Sequence, residues 1–311
     1  MHRRHRFRPA ALLLAIVATI GGVSARAAPL DALERTVVVD SSRITVQFST
    51  NDFAVGTQAI AAWVGERGRI VRDYYGRFPV ASARLRIRQS PGGGVHGGRE
   101  FSAASPFINI VMGRDATRAE LDDDWVLVHE MIHLAFPEIA ERHAWLAEGL
   151  AVYVEGVART QAGNETPQEF WAGLVHDMPQ GQPRSGDEGL DRTHSWGRTY
   201  WGGAIFCLEA DMTIREKTGN RKGLQDGLRA ILQATGGNTD EWPVERALGI
   251  ADSATGTTVL MDLYRAHSDS PAPFDLDRIW RELGISIDGQ QLVFDDKARL
   301  AGVRRAITQR P

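Results

Sequence analysis

The sequence predicts an α+β fold, a small N-terminal α/β sheet layer followed by a mainly helical subdomain. Three observations carry that expectation. Apolar and polar residues alternate between 36 and 48 and again from 84 to 88, the period of a half-buried strand. From Thr117 onward apolar residues recur three and four apart, the period of an amphipathic helix. No segment after residue 27 approaches the length of a transmembrane run.

Residues 1–27 read as a signal peptide outside the fold. His2-Arg3-Arg4-His5-Arg6-Phe7-Arg8 is a basic start, residues 10–23 are apolar but short for a bilayer, and Ala25-Arg26-Ala27 supplies small residues for cleavage after Ala27. The mature protein is therefore expected to be exported, periplasmic or secreted, with no stable membrane insertion after cleavage. Five of the 36 Lys and Arg lie in this segment and none of the 39 Asp and Glu, leaving 31 against 39, a net charge of −8. That balance argues against nucleic acid as a partner. Nothing in the sequence bears on oligomeric state.

Within 36–48, Val37, Val38 and Val39 and then Ile44, Val46 and Phe48 predict extended chain. Residues 57–78 predict a helix that turns Ile60, Ala61, Val64, Ile70, Val71 and Tyr74 inward. Leu85 and Ile87 mark a strand at 84–88, and 107–112 is a short apolar strand. Between them, Pro91-Gly92-Gly93-Gly94-Val95-His96-Gly97-Gly98 lacks the Gly-Lys-Ser/Thr ending of a phosphate loop and reads as a hairpin connection, or as a mobile flap. Thr117 with Glu120 has the capping-box pattern and is expected to start the next long helix. Further helices are predicted at 166–178, 197–218, 222–234, 275–283 and 297–308, with a strand at 291–294. The single cysteine, Cys207, excludes an intramolecular disulfide and is expected to pack in its apolar helix.

His129-Glu130-Met131-Ile132-His133 carries the chemistry. Residues four apart on a helix share one face, so His129 and His133 can offer two imidazole nitrogens to one metal ion. Glu130 stands beside them, able to reach a metal-bound water without binding the metal. A catalytic zinc takes three protein ligands and keeps one position open, and two histidines with a glutamate are one such set. Fourteen residues separate His133 from Glu148. Pro137 breaks the first helix, and from Ala144 the residues Trp145, Leu146, Leu150, Ala151 and Val154 recur at helical spacing. Two antiparallel helices joined this way set Glu148 opposite the histidines. One Zn²⁺ per chain, held by His129, His133 and Glu148, is the expected cofactor.

Trp145-Leu146-Ala147-Glu148-Gly149-Leu150-Ala151-Val152-Tyr153-Val154-Glu155, with the histidine motif before it, resembles the zinc-ligand helices of gluzincin metallopeptidases, in particular the aminopeptidase N and glycyl aminopeptidase catalytic domains of the peptidase MA-like group. The match spans residues 129–155. It implies a zincin-like fold, with the active site in a cleft between the sheet layer and the helical subdomain. It also implies a peptide or protein substrate and Glu130 as general base. A weaker likeness at Arg198-Thr199-Tyr200-Trp201-Gly202-Gly203-Ala204 gives Tyr200 the position of an oxyanion-stabilising tyrosine.

The departures are specific. The family's Gly-Ala-Met-Glu-Asn stretch is absent, and residues 107–112 are expected to stand as the substrate-binding edge strand, without a glutamate for an α-amine. Exo- and endopeptidase action both stay open. Valine occupies position 152, where some relatives place an aspartate that orients a zinc histidine, and Glu155 is the candidate substitute. The resulting division is a signal peptide at 1–27, an N-terminal α/β subdomain at 28–115, a helical catalytic subdomain at 116–236 and a mainly helical C-terminal region at 237–311. An exported zinc peptidase is the expected function. The alternative is a catalytically silent zinc-binding assembly or binding protein of the cell envelope.

Overall fold

The alternating segments pair into one five-stranded sheet in the computed structural model, which describes residues 33–101, 105–289 and 291–310. Residues 1–27, expected to be a signal peptide, lie outside the described residues. β1 (Glu34–Val39) and β2 (Ser42–Phe48) form an antiparallel hairpin, and β3 (Ser82–Ser90) runs parallel to β2. β5 (Phe107–Gly113) runs parallel to β3, and β4 (Val95–Phe101) pairs antiparallel to β5, giving the order β1-β2-β3-β5-β4. The inward residues of this alternation, Ile44, Val46, Leu85, Ile87, Ile108, Ile110 and Met112, are all buried. α1 (Thr57–Tyr75) links the parallel pair β2 and β3, as parallel strands require, and ends at Gly76. That glycine, at φ +82°, takes the left-handed conformation and stops the helix three residues before the expected end.

Two expectations about this layer need correction. The strand at 107–112 is β5, an interior strand paired on both sides. The edge strand beside β5 is β4, which begins inside the tract expected to be a hairpin connection or flap. Glycines at 97 and 98 offer no side chain to report burial, so the tract reads as a loop although its backbone pairs with β5 from Val95 to Phe101.

The capping box at Thr117 and Glu120 does form, but it starts only the short α2 (Arg118–Asp122). The metal-motif helix is a separate element, α3 (Val126–His133). Asp124 divides the two, its carboxylate accepting the Leu127 amide at 3.2 Å. Three consecutive aspartates, 122–124, mark the break, although the apolar period of Leu121, Trp125, Val128 and Ile132 runs across it.

The rest is helical around α3: α4 (Ala144–Gln161), α5 (Pro167–Asp177), a π-helical turn at Gly197–Gly202 leading into α6 (Gly203–Thr218), and α7 (Leu224–Thr235). α8 (Val244–Thr255) and α9 (Val259–His267) follow without having been read from the sequence. α10 (Leu276–Leu283), the hairpin of β6 (Ile285–Asp288) and β7 (Gln291–Phe294), and α11 (Ala301–Thr308) complete the fold. Cys207 is buried on α6. Among the described residues no helix is long and apolar enough to cross a membrane. The architecture is the expected α+β arrangement.

Candidate metal centre

α3 is apolar on nearly every face, with Val126, Leu127, Val128, Met131 and Ile132 buried. Its two histidines are therefore carried into the interior. After His133 the chain turns through i to i−3 hydrogen bonds, Ala135 to Ile132 at 2.9 Å and Phe136 to His133 at 3.3 Å, until Pro137 ends the run. α4 then begins at Ala144. Its first turn is tied down by Asp191, whose carboxylate receives Trp145 Nε1 at 2.6 Å and Tyr264 Oη at 3.0 Å and meets His143 Nδ1 at 2.8 Å. Glu148 lies one turn beyond that anchor.

The two helices bring the three expected ligands together. Glu148 Oε2 lies 3.3 Å from His129 Nε2 and 3.7 Å from His133 Nε2. The three ligand atoms all lie within 4.8 Å of one another. Tetrahedral zinc with bonds of about 2.0–2.1 Å spaces its ligands roughly 3.3 Å apart, so two imidazoles and a carboxylate at these separations fit that ion. His129 Nδ1, which is buried, finds no hydrogen-bond partner among the described residues. Glu155 does not serve it: its carboxylate pairs instead with Arg159, at 3.5 Å, so the expectation that it orients a ligand histidine is corrected.

Charge in the cluster is unevenly shared. Burial raises the Glu148 carboxyl, but hydrogen bonds from both histidines outweigh it and hold Glu148 well below the usual carboxylate range. Burial lowers His133, yet Glu148, Glu130 and Glu100 together push it up to about 9. His129, where burial prevails, is lowered. Glu130 is pushed up to about 7, chiefly by burial and against the pull of His133.

Glu130 is held by the edge strand. Its carboxylate accepts the backbone N–H of Glu100. Gly98 makes room for it: a methyl group there would stand 2.6 Å from Glu130 Cγ and 2.9 Å from Oε1. Glu100, whose side chain accepts from Asn238 Nδ2 at 2.7 Å, adds a third carboxylate near Glu130 and His133. Sequence reasoning passed over this residue. The available signal was Gly97-Gly98-Arg99-Glu100-Phe101, with a glycine first and a glutamate fourth as in the family's Gly-Ala-Met-Glu-Asn stretch.

Tyr200 sits in the π-helical turn, a feature often found at functional sites. Its ring stacks on His129 at 6.4 Å between centres. Its hydroxyl faces Glu148, and burial beside that carboxylate raises its pKa. His194 is exposed and takes no part in the cluster.

No family model matches the sequence, and no curated protein matches it. Solved structures share the fold. An aminopeptidase N family protein from Idiomarina loihiensis superposes with a TM-score of 0.62 at 12% identity, over 82% of this chain and 49% of that one. A two-domain M1 zinc metallopeptidase mutant bound to L-arginine gives 0.51 at 15% identity, over 78% and 54%. The same kind of mutant bound to L-tryptophan gives 0.50 at 16%, over 78% and 53%. This chain thus spans about half the length of the structures it resembles.

Proposed function

We propose that this chain is an exported zinc-dependent peptidase of the gluzincin type. The observation that carries the reading is the convergence of His129, His133 and Glu148 with Glu130 and Tyr200 beside them. The fold shared with M1 metallopeptidases supports it. A zinc ion held by the three ligands would polarise the scissile carbonyl and acidify a bound water. Glu130 takes the proton of the attacking water and hands it to the leaving amine. Burial raises the Glu130 carboxyl above the ordinary carboxylate value, the direction that helps it return the proton to the leaving amine. Tyr200 offers its hydroxyl to the carbonyl oxygen as charge develops there. The open edge of β4 pairs with an extended peptide.

Glu100 favours action at the amino end of a peptide. Glu100 and Glu148 both repel the Glu130 carboxylate, and an α-ammonium beside Glu100 relieves that repulsion. A merely zinc-stabilised binding protein would need neither Glu130 nor Tyr200 next to its ligands, so the silent alternative is not favoured.

The test compares wild type with Glu130→Gln on short peptides whose amino terminus is free or acetylated, with zinc measured by elemental mass spectrometry. Both proteins are expected to hold about one zinc per chain, with hydrolysis lost by about 10²-fold or more in the variant. Acetylation is expected to abolish cleavage. Undiminished turnover by Glu130→Gln rules out the mechanism, and equal cleavage of acetylated peptides rules out recognition of the free amine.

A further inference from the structure

Residues 182–196 form a loop whose two ends meet. A methyl group on Gly181 would overlap the backbone of Trp201 and Gly202, and one on Gly197 would overlap the Gln180 carbonyl oxygen. Loops closed at the neck in this way are packed by their own side chains. Glu188, Arg192, His194 and Ser195 of this loop face water, but two of its aspartates turn inward. Asp187 lies 2.7 Å from Arg198 Nε, and both side chains are only 2% exposed. The same guanidinium donates to the Gly181 carbonyl at 2.7 Å. Arg198 is the second residue of the π-helical turn that carries Tyr200. Asp191 is 7% exposed. It takes the Trp145 indole N–H and meets His143 at the start of α4, one turn before Glu148. The loop itself is fixed from behind, the amides of Leu190 and Asp191 donating to the His267 and Ser268 carbonyls at the end of α9, at 2.9 and 2.8 Å.

We propose that Asp187 and Asp191 are positioning residues, Asp187 setting the Tyr200 hydroxyl through Arg198 and Asp191 setting the Glu148 carboxylate through the first turn of α4. The inference rests on the peptidase reading and extends it to two residues outside the ligand cluster. Stability alone gives little reason for them, since apolar side chains of similar volume often serve as well as a buried ion pair. A buried carboxylate with every oxygen engaged fixes direction as well as contact, and Asp191 engages its second oxygen with Tyr264 Oη at 3.0 Å. Holding both helix starts from one loop sets the phenol and the ligand carboxylate against a common reference. Reactions in which a shift of about 1 Å costs about 10²-fold in rate depend on such support.

The test reads the two arms separately. Wild type, Asp187→Asn, Asp191→Asn and the control Asp252→Asn are compared for melting temperature, for zinc affinity by chelator competition, and for kcat and KM on a short peptide with a free amino terminus at saturating zinc. Asp252 is a similarly buried aspartate that accepts the Leu260 and Met261 amides at the start of α9, at 2.9 and 3.0 Å. Asp191→Asn is expected to weaken zinc binding by about tenfold or more. Asp187→Asn is expected to lower kcat by about tenfold or more, with zinc affinity and KM unchanged. Asp252→Asn should lower the melting temperature and change neither. Arg198→Lys and Tyr264→Phe each loosen one arm without emptying it, and should repeat the loss of kcat and of zinc affinity respectively at smaller size, which decides the matter if an asparagine variant does not fold. Zinc affinity in the Asp191 arm and kcat in the Asp187 arm within about twofold of wild type overturn the positioning roles and leave the peptidase reading standing. So do losses that appear equally in Asp252→Asn. Wild type that fails to bind zinc, or binds it and cleaves no peptide, overturns the peptidase reading and the inference with it.

Discussion

Gly149 and Gly203 meet backbone to backbone where α4 crosses the start of α6. A methyl group on Gly203 would stand 2.8 Å from Gly149 Cα and overlap the Trp145 carbonyl oxygen, and one on Gly149 would overlap the Gly203 backbone. Packed helices usually keep their axes roughly 8–10 Å apart, and bare glycines permit a closer crossing. The closeness has a chemical consequence. Glu148 precedes Gly149, and Tyr200 lies one turn before Gly203, so the crossing carries the phenol toward the Glu148 carboxylate.

Gly203→Ala is accordingly expected to destabilise the protein by about 2 kcal/mol or more, because the added methyl meets backbone that has nowhere to go. Gly173→Ala in α5 and Gly249→Ala in α8 are the controls. A methyl at either meets nothing within 4 Å, so stability should rise by up to about 1 kcal/mol through helix propensity and unfolded-state entropy. Urea unfolding of the three variants checks this. A Gly203→Ala protein as stable as its controls would show that the helices separate freely.

Tyr200→Phe removes the hydroxyl and keeps the ring stacked on His129. Turnover is expected to fall about 10²-fold, the usual effect of losing one oxyanion donor, with zinc content unchanged. Steady-state kinetics beside elemental analysis decides it. A kcat within a factor of about two of wild type, far short of that loss, would remove Tyr200 from the chemistry.

Zinc should also hold the fold together, since α3 and α4 each contribute ligands and the ion binds only the folded arrangement. At a free zinc concentration about 1,000 times the dissociation constant, the added stability is about 4 kcal/mol. Chelation is expected to lower the melting temperature of wild type and to leave His133→Ala unmoved. A melting temperature indifferent to zinc in wild type would argue against the site.

Glu155 introduces a pH dependence away from the metal ligands. Its side chain is 15% exposed. Burial, opposed by Arg159 and reinforced by Glu165 and Asp124, pushes its carboxyl up from 4.5 to about 8. Between those values the folded state keeps a proton that the unfolded chain releases. Stability from this group therefore falls as pH rises from about 4.5 to about 8 and is level above that. Relative to Glu155→Gln, wild type should lose about 1–2 kcal/mol across the window. Melting temperatures of both proteins at pH 5.5 and 8.5 test this, and a difference that does not change with pH refutes it.

The legible parts of the fold are those whose evidence lies within a few residues of chain. β2 and β3 announced themselves by alternation, and α4 by a helical period that begins at Ala144, where the helix begins. β4 was not legible, because glycines carry no pattern and its place at the edge depends on pairing with a strand later in the chain. α8 and α9 were passed over in a C-terminal stretch where no clear pattern was read. The break between α2 and α3 escaped because the apolar period runs across it, while Asp124 caps the second helix locally.

For the site, the sequence by itself determined that His129 and His133 share a helix face with Glu130 adjacent, since that follows from 3.6 residues per turn. It also carried Glu148 at a distance two antiparallel helices can close. Tertiary structure alone decided which strand is the edge, that Glu100 and Gly98 abut Glu130, and that Tyr200 reaches Glu148. The reason is physical. Helical and strand periods arise from backbone geometry between neighbours, whereas these contacts arise from sheet pairing and from a glycine-to-glycine helix crossing, which join segments distant along the chain.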